Sequence, residues 1–436
     1  MTESLVGFAV LFGLILLRMP IGFAMALVGT VGFALMVGWR PAFAMLGQNT
    51  FEAGFSYTLS VLPLFILMGN LVTRAGISHE LYQAAYAFLG HRRGGLAMAS
   101  VAACGGFSAV CGSSLATAAT MSKVAMPPMR RFGYHDSLAA GSIAAGGTLG
   151  ILIPPSVIMV IYGLLTQADI GKLFIAGILP GALGVVLYTL AVAVTTWIRP
   201  ELGPPGERMP WGRRLQALKG VSGMLALFGV IMGGIYGGLF TPTEAAGVGA
   251  FAAFLMALVR RRLTWAVFLD LLVDSARTTA MLFTVVIGAL LFENFVNFAG
   301  FADALKDVVT GLAVSPWLVM LVIVGIYLVL GCVLESLSMI LLTVPVFYPI
   351  VVDLDYGIGD PDLVLVWFAV IVVVVTEISL ITPPIGMNVF VLRGVLGDVR
   401  LGTIFRGLVP FLLSDFVRLG LIIAFPVLSL LLPSLM

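Results

Sequence analysis

Charge is what this chain has least of. Asp, Glu, Lys and Arg together make 10% of its 436 residues, while apolar types make 60%. Runs of roughly 20 apolar residues, enough to cross a hydrocarbon layer about 30 Å thick, recur along it, so it reads as an integral membrane protein. Cysteine and histidine are scarce too, at three each. Cys104, Cys111 and Cys332 lie singly in apolar segments without CxxC spacing, which supports neither a disulfide framework nor a zinc site. His79, His91 and His135 lie near loops and read as solvated. With a net charge of +2 and no basic tract, nothing points to nucleic acid. There is no P-loop, GxSxG or HExxH, so neither ATP use nor enzyme chemistry is expected. The two-residue alternation of a barrel is also missing, and lipid-embedded backbone must then be satisfied within helices.

What is present is a set of deliberate interruptions. Residues 105–117 (GGFSAVCGSSLAT) and 145–156 (AGGTLGILIPPS) crowd glycine, proline and small hydroxyl residues into apolar surroundings. Both recur. Residues 330–338 (LGCVLESLS) match the first at an offset of 222, which carries Ser114 to Ser336 and Pro127 to Pro349. Residues 376–384 (TEISLITPP) match the second at an offset of 229, from Pro154 and Pro155 to Pro383 and Pro384. The seven extra residues fall in the polar loop 353–362. Interrupted apolar segments at corresponding places in two halves of a membrane chain point to a transport site.

Ten crossings are expected, over 5–17, 21–38, 57–73, 137–163, 173–197, 220–240, 244–259, 276–292, 363–392 and 407–432. Segments 40–55 and 263–275 mix aromatics with charge and read as helices in the membrane interface. The first crossing is expected to be retained, since no basic leader precedes it. Basic clusters at 91–93, at Lys123 with Arg130 and Arg131, at 199–219, at 260–262, and at Arg393, Arg400 and Arg406 all fall on one side, the cytoplasm, if both termini are outside. Arg40 fits this poorly. The apolar segment between Arg93 and Arg130 has two basic ends and reads as a re-entrant hairpin that turns near Cys111 to Ser114. Its counterpart, about 315–352, enters from the opposite face with its tip at Glu335 and Ser336. The fold class expected is therefore an all-α integral membrane protein with about ten crossing helices. Two re-entrant hairpins and two broken helices stand in two inverted repeats.

Tandem prolines free carbonyls at mid-membrane. With neighbouring hydroxyls these suit a small hard cation such as sodium, and half-helix N-termini suit a carboxylate. The candidate sodium ligands are Ser113, Ser114, Gly147, Thr148, Glu335, Ser336, Ser338, Thr376, Glu377 and Thr382. Gly112, Ser113, Pro154, Ser336 and Pro383 are the candidates for the substrate. Single hydroxyls in membrane helices more often bond their own helix; it is their repetition at equivalent tips that singles these out. Glu335 and Glu377 are ionisable groups at membrane depth, each costing about 2.5–3.5 kcal/mol if charged at the centre, although a carboxylate can also serve the fold by accepting freed donors. Ser156 and Asn388 are weaker candidates. Lys123 can be explained as a cation reaching the interface. No arginine stands out as placed to pair with a substrate carboxylate.

The motifs FSAVCGSSLATAA (107–119), RRFGY (130–134), AAGGTLGILIPPS (144–156), FTPTEAA (240–246) and TEISLITPPIGMN (376–388) together resemble the large membrane (M, DctM-type) subunit of the tripartite ATP-independent periplasmic, or TRAP, transporters. Cys111 stands at the tip where a serine or other small residue is usual. The resemblance implies sodium-driven import of a small carboxylate by an elevator motion, with no cofactor beyond the coupling ion. It further implies a bacterial inner-membrane location and two partners: a small four-helix membrane subunit (Q), here a separate polypeptide, and a periplasmic substrate-binding protein (P). The division expected is N-terminal scaffold and interfacial arm (1–90), first transport half (91–165), linking scaffold (166–313), second transport half (314–396) and C-terminal helix (397–436). A stand-alone ion-coupled dicarboxylate exchanger or sodium/proton antiporter of related fold is the alternative.

Overall fold

The computed structural model describes residues 2–311, 314–332 and 334–436, and among them the chain is helical with no strand. The first ten helices are α1 (Thr2–Leu16), α2 (Ile21–Val37), α3 (Trp39–Phe55), α4 (Val61–Arg74), α5 (Ile77–Leu89), α6 (Gly95–Cys111), α7 (Ser114–Arg131), α8 (Asp136–Thr148), α9 (Val157–Thr166) and α10 (Ile170–Ile198). The rest are α11 (Trp211–Tyr236), α12 (Pro242–Val259), α13 (Trp265–Phe298), α14 (Phe301–Gly311), α15 (Pro316–Leu330), α16 (Ser336–Val352), α17 (Pro361–Ile381), α18 (Met387–Leu396), α19 (Leu401–Ala424) and the short α20 (Val427–Leu430). The hairpins are α6–α7 and α15–α16. The broken helices are α8–α9 and α17–α18.

The offsets read from the motifs extend to whole elements. At 222, α2 falls on α12, α5 on α14, and α3 with α4 on α13; at 229, α10 falls on α19. Packing follows the same exchange. Helix α2 lies on α13 while its counterpart α12 lies on α4, and α7 lies on α18 while α16 lies on α9. Each hairpin thus returns against the far half of the other repeat's broken helix, the interlock of two inverted repeats. At the centre is α17, buried without exception from Val364 to Ile381. A helix apolar on every side has no face for solvent and is stable only when fully enclosed.

Several sequence boundaries are revised. Among the described residues six helices are individually long and apolar enough to cross a membrane, or seven if α3 and the following 58–74 count as one span bent by 55°, against ten expected crossings. The difference arises because 137–163 is divided by the non-helical turn before Val157, and because α1, α2 and α4 are short. Residues 263–275 form no separate interfacial helix. They run unbroken into α13, 34 residues and so about 51 Å long. No glycine or proline interrupts the junction, and Asn70 Nδ2 donates to Ser275 Oγ at 2.9 Å, giving the polar stretch an internal partner. The last crossing, expected over 407–432, spans 401–424 and stops before Pro426, which cannot continue it. Helices α5 and α14 were not expected. The scaffold boundary expected at 313 lies outside the described residues.

Ion pairs tie the ends together. On the basic side Arg130 forks onto Asp136 at 2.9 and 3.0 Å and reaches Asp398 at 2.8 Å, joining hairpin 1, α8 and the loop after α18. The hydrogen bond from Arg130 holds the Asp398 carboxyl below the usual carboxylate range. The tie is therefore complete at neutral pH and weakens only as pH falls through that lowered value. Opposite, Lys306 pairs with Asp353, and Trp317, Tyr356 and Trp367 meet edge to face or tilted beside the polar loop.

Candidate functional site

At tip 1, Gly112 ends α6 in the left-handed region (φ 62°), and a Cβ there would stand 3.1 Å from the Pro155 carbonyl. Ser113 is extended and caps α7 by accepting from the Ala116 amide at 3.4 Å. Ser114 Oγ donates to the Thr148 carbonyl at 3.3 Å. Break 1 presses against this tip backbone to backbone: a Cβ on Gly150 would lie 2.8 Å from the Ser113 carbonyl, and one on Gly147 would lie 2.8 Å from Ala118 Cβ. The turn then buries Pro154 and Pro155, and Ser156 caps α9, accepting from Met159 N and donating to Ile151 O. Ser156 is thus occupied as a helix cap.

Tip 2 meets break 2 differently. A Cβ on Gly331 would fall 2.1 Å from Ser379 Oγ, and Cys332 Sγ lies 3.6 Å from the Pro383 carbonyl. Ser336 and Ser338 are buried at the start of α16, whereas Glu335, Pro383 and Pro384 are exposed and Thr382 is half-buried. The hydroxyls of Thr376 and Thr382 donate to carbonyls one turn back, Val372 and Ile378, which leaves their lone pairs as acceptors. Site 1 is therefore closed over its prolines and site 2 is open at them.

Glu377 does not turn to tip 2. Its Oε2 accepts from Arg418 Nη2 at 2.5 Å, and the same nitrogen stands 2.8 Å from Asp415 Oδ1. Tyr188 donates to Asp415 Oδ2 at 2.7 Å and lies 3.2 Å from Thr148 Oγ1. All five side chains are fully buried. Thr148 and Glu377 are repeat equivalents, at the offset of 229, so a single chain of polar contacts through α10 and α19 joins the two breaks. A Cβ on Gly184 of α10 would sit 2.4 Å from Arg418 Nη1; only a glycine leaves room for the guanidinium. Glu377 Oε1 and Arg418 Nε and Nη1 have no hydrogen-bond partner among the described residues. Two carboxyl groups thus share one guanidinium. Arg418 is a core arginine that the sequence did not single out, and it is committed to protein carboxyls rather than free for a substrate's. The i, i+3 spacing of Asp415 and Arg418 inside an apolar helix was the available signal.

Asn388, just past break 2, donates to the Ala144 carbonyl of α8 at 3.2 Å, with Oδ1 buried and unpartnered among the described residues. It too joins the halves.

The family profile described as the DctM component of the tripartite ATP-independent periplasmic transporter matches residues 8–428. The chain is 39% identical over 391 residues to the C4-dicarboxylate TRAP transporter large permease protein DctM of Pseudomonas aeruginosa, covering 89% of each. It is 34% identical over 429 residues to the sialic acid TRAP transporter large permease protein SiaM of Vibrio cholerae, covering 97% of this chain and 96% of that one. The YdaH transporter of Alcanivorax borkumensis shares the fold, with a TM-score of 0.62 at 16% identity over 88% of each chain. The chain belongs to the DctM, or large permease, family of tripartite ATP-independent periplasmic transporters: a membrane transport subunit and not an enzyme.

Proposed function

We propose that this chain carries a small organic acid inward on a sodium gradient, as the translocating subunit beside a small four-helix membrane protein and a periplasmic binding protein that delivers the acid. The observation that supports this best is the pairing of a hairpin tip with a helix break in each repeat, both breaks being tied to one buried ion network. Carbonyls at the turns and the hydroxyls of Ser113, Ser114, Thr148, Ser336, Ser338, Thr376 and Thr382 supply the hard oxygens sodium takes. Gly147 and Glu335 complete the two sets. Glu377 Oε1, buried and without a hydrogen-bond partner among the described residues, adds one more oxygen. The N-termini of α7, α9, α16 and α18 begin at the tips and breaks and favour a carboxylate there, beside Gly112, Ser113, Pro154, Ser336 and Pro383. Both relatives above are named for organic acids.

In an elevator, hairpins and broken helices slide as one body against a scaffold. We take α10 and α19, joined to both breaks by the ion network, to travel with the moving body, a different division from the linking scaffold and C-terminal segment read from the sequence. Helix α8 packs on α19, and α17 on both α10 and α19. The scaffold is then α1–α5 with α11–α14.

Delivery by a binding protein is tested in proteoliposomes holding this chain and its small subunit under an inward sodium gradient. Uptake of labelled acid is expected to fall at least tenfold when the binding protein is omitted. Uptake that is indifferent to the binding protein would instead favour the stand-alone exchanger.

A further inference from the structure

Away from the tips, a cavity of about 820 Å³ opens between α5, α7 and α11, with Lys123, Arg213, Gln83 and Tyr86 among its lining. Lys123 and Arg213 are both exposed, and neither has a carboxylate within ion-pair distance among the described residues. The cavity's carboxylate, Glu80, is held by Arg260 at 2.8 Å. Its walls therefore carry two uncompensated positive charges. Low-dielectric walls around charge of one sign concentrate the opposite ion.

An exposed side of α7 leads from the cavity toward the tip. Ala116, Thr120, Lys123 and Pro127 follow helical spacing down one side of α7; Ala116, Lys123 and Pro127 are exposed and Thr120 is half-buried. Lys123 lies nine residues, about 14 Å, beyond Ser114. On α16 the matching track is closed, for every residue from Ser336 to Phe347 is buried and Pro345 stands where Lys123 does. The open track ends among Arg130, Arg131 and Arg213, on the side where basic loops collect, the cytoplasmic one.

We infer that Lys123 and Arg213 form an anion vestibule, which receives the carboxylate leaving tip 1 and passes it to the cytoplasm. This rests on the reading of the chain as an importer of organic acids. Lys123, explained from sequence as a cation reaching the interface, here lines a cavity.

The test needs no transport. Cys104, Cys111 and Cys332 are replaced, Lys123→Cys is introduced into the full chain, and inside-out membrane vesicles are treated with a negatively charged sulfonatoethyl or a positively charged trimethylammonioethyl methanethiosulfonate. After correction for reaction with a free thiol, the anionic reagent is expected to react about tenfold faster. Adding Arg213→Gln is expected to erase most of that preference, and succinate to slow the anionic reagent. Equal rates, a preference for the cationic reagent, or labelling confined to right-side-out vesicles would overturn the vestibule. Such a result leaves sodium-driven uptake by the unmodified chain standing, and loss of that uptake would leave the labelling preference intact, so the two failures are distinguishable.

Discussion

Arg418→Met is expected to destabilise the purified protein by about 3–5 kcal/mol, the cost of leaving buried carboxylates without their cation. Glu377 and Asp415 both pair with that guanidinium, and none of the three is exposed. The measurement is thermal unfolding in detergent, followed by loss of the monodisperse species. Replacing the whole group, with Glu377→Met, Asp415→Leu and Arg418→Met together, is expected to recover most of the stability, because an apolar cluster of similar volume pays no desolvation. Transport is not expected to return with it. The network ties Thr148 in one break to Glu377 in the other, and an apolar cluster cannot supply those directed contacts. A triple variant that is stable and transports normally would reduce the network to a structural role.

Gly407→Ala is expected to be nearly as damaging, by different physics. A Cβ at this position of α19 would lie 1.8 Å from the Ser137 carbonyl, and one on the facing Gly141 of α8 would lie 2.6 Å from the Gly407 carbonyl. The obstacle is backbone, so no rotamer change relieves it and the two helices must separate. The cost should reach or exceed the upper end of the usual ~1–3 kcal/mol for overpacking. Gly420→Ala, on the same helix with no neighbouring atom within 4 Å, is the control. It should be neutral or gain up to about 1 kcal/mol, since alanine is the better helix former. Equal effects of the two substitutions would contradict the close approach.

These two positions show what the sequence did and did not disclose. The hairpins and breaks were legible because they violate their surroundings: a tip of glycine and serine and a Pro-Pro break do not belong in apolar helices, and each occurs twice. Repetition also linked Thr148 to Glu377 before any contact was known. Arg418, Asp415 and Tyr188 were passed over because each sits within an otherwise plausible crossing, and their meaning lies in a convergence of α10, α17 and α19 that is remote in sequence. Glu377 was singled out, but its partner was not, so ion binding and a role in the fold stayed open. Helices α5 and α14 were missed because they are short and follow directly on longer helices. The polar 263–275 was set apart by composition alone; its end is held by Ser275 bonding Asn70, a residue 205 positions away.

The central claim is that each repeat contributes one functional hairpin-and-break site to a sodium-driven import. It is tested most directly by uptake of labelled C4-dicarboxylate, sialic acid and other organic acids into proteoliposomes of the assembled three-part system. Sodium is supplied as an inward gradient or withheld, for the unaltered chain and for Ser114→Ala and Ser336→Ala. The account predicts uptake that requires the gradient and drops at least tenfold in both variants, each still folded and inserted. Uptake that ignores sodium, or that survives both substitutions unchanged, would contradict it.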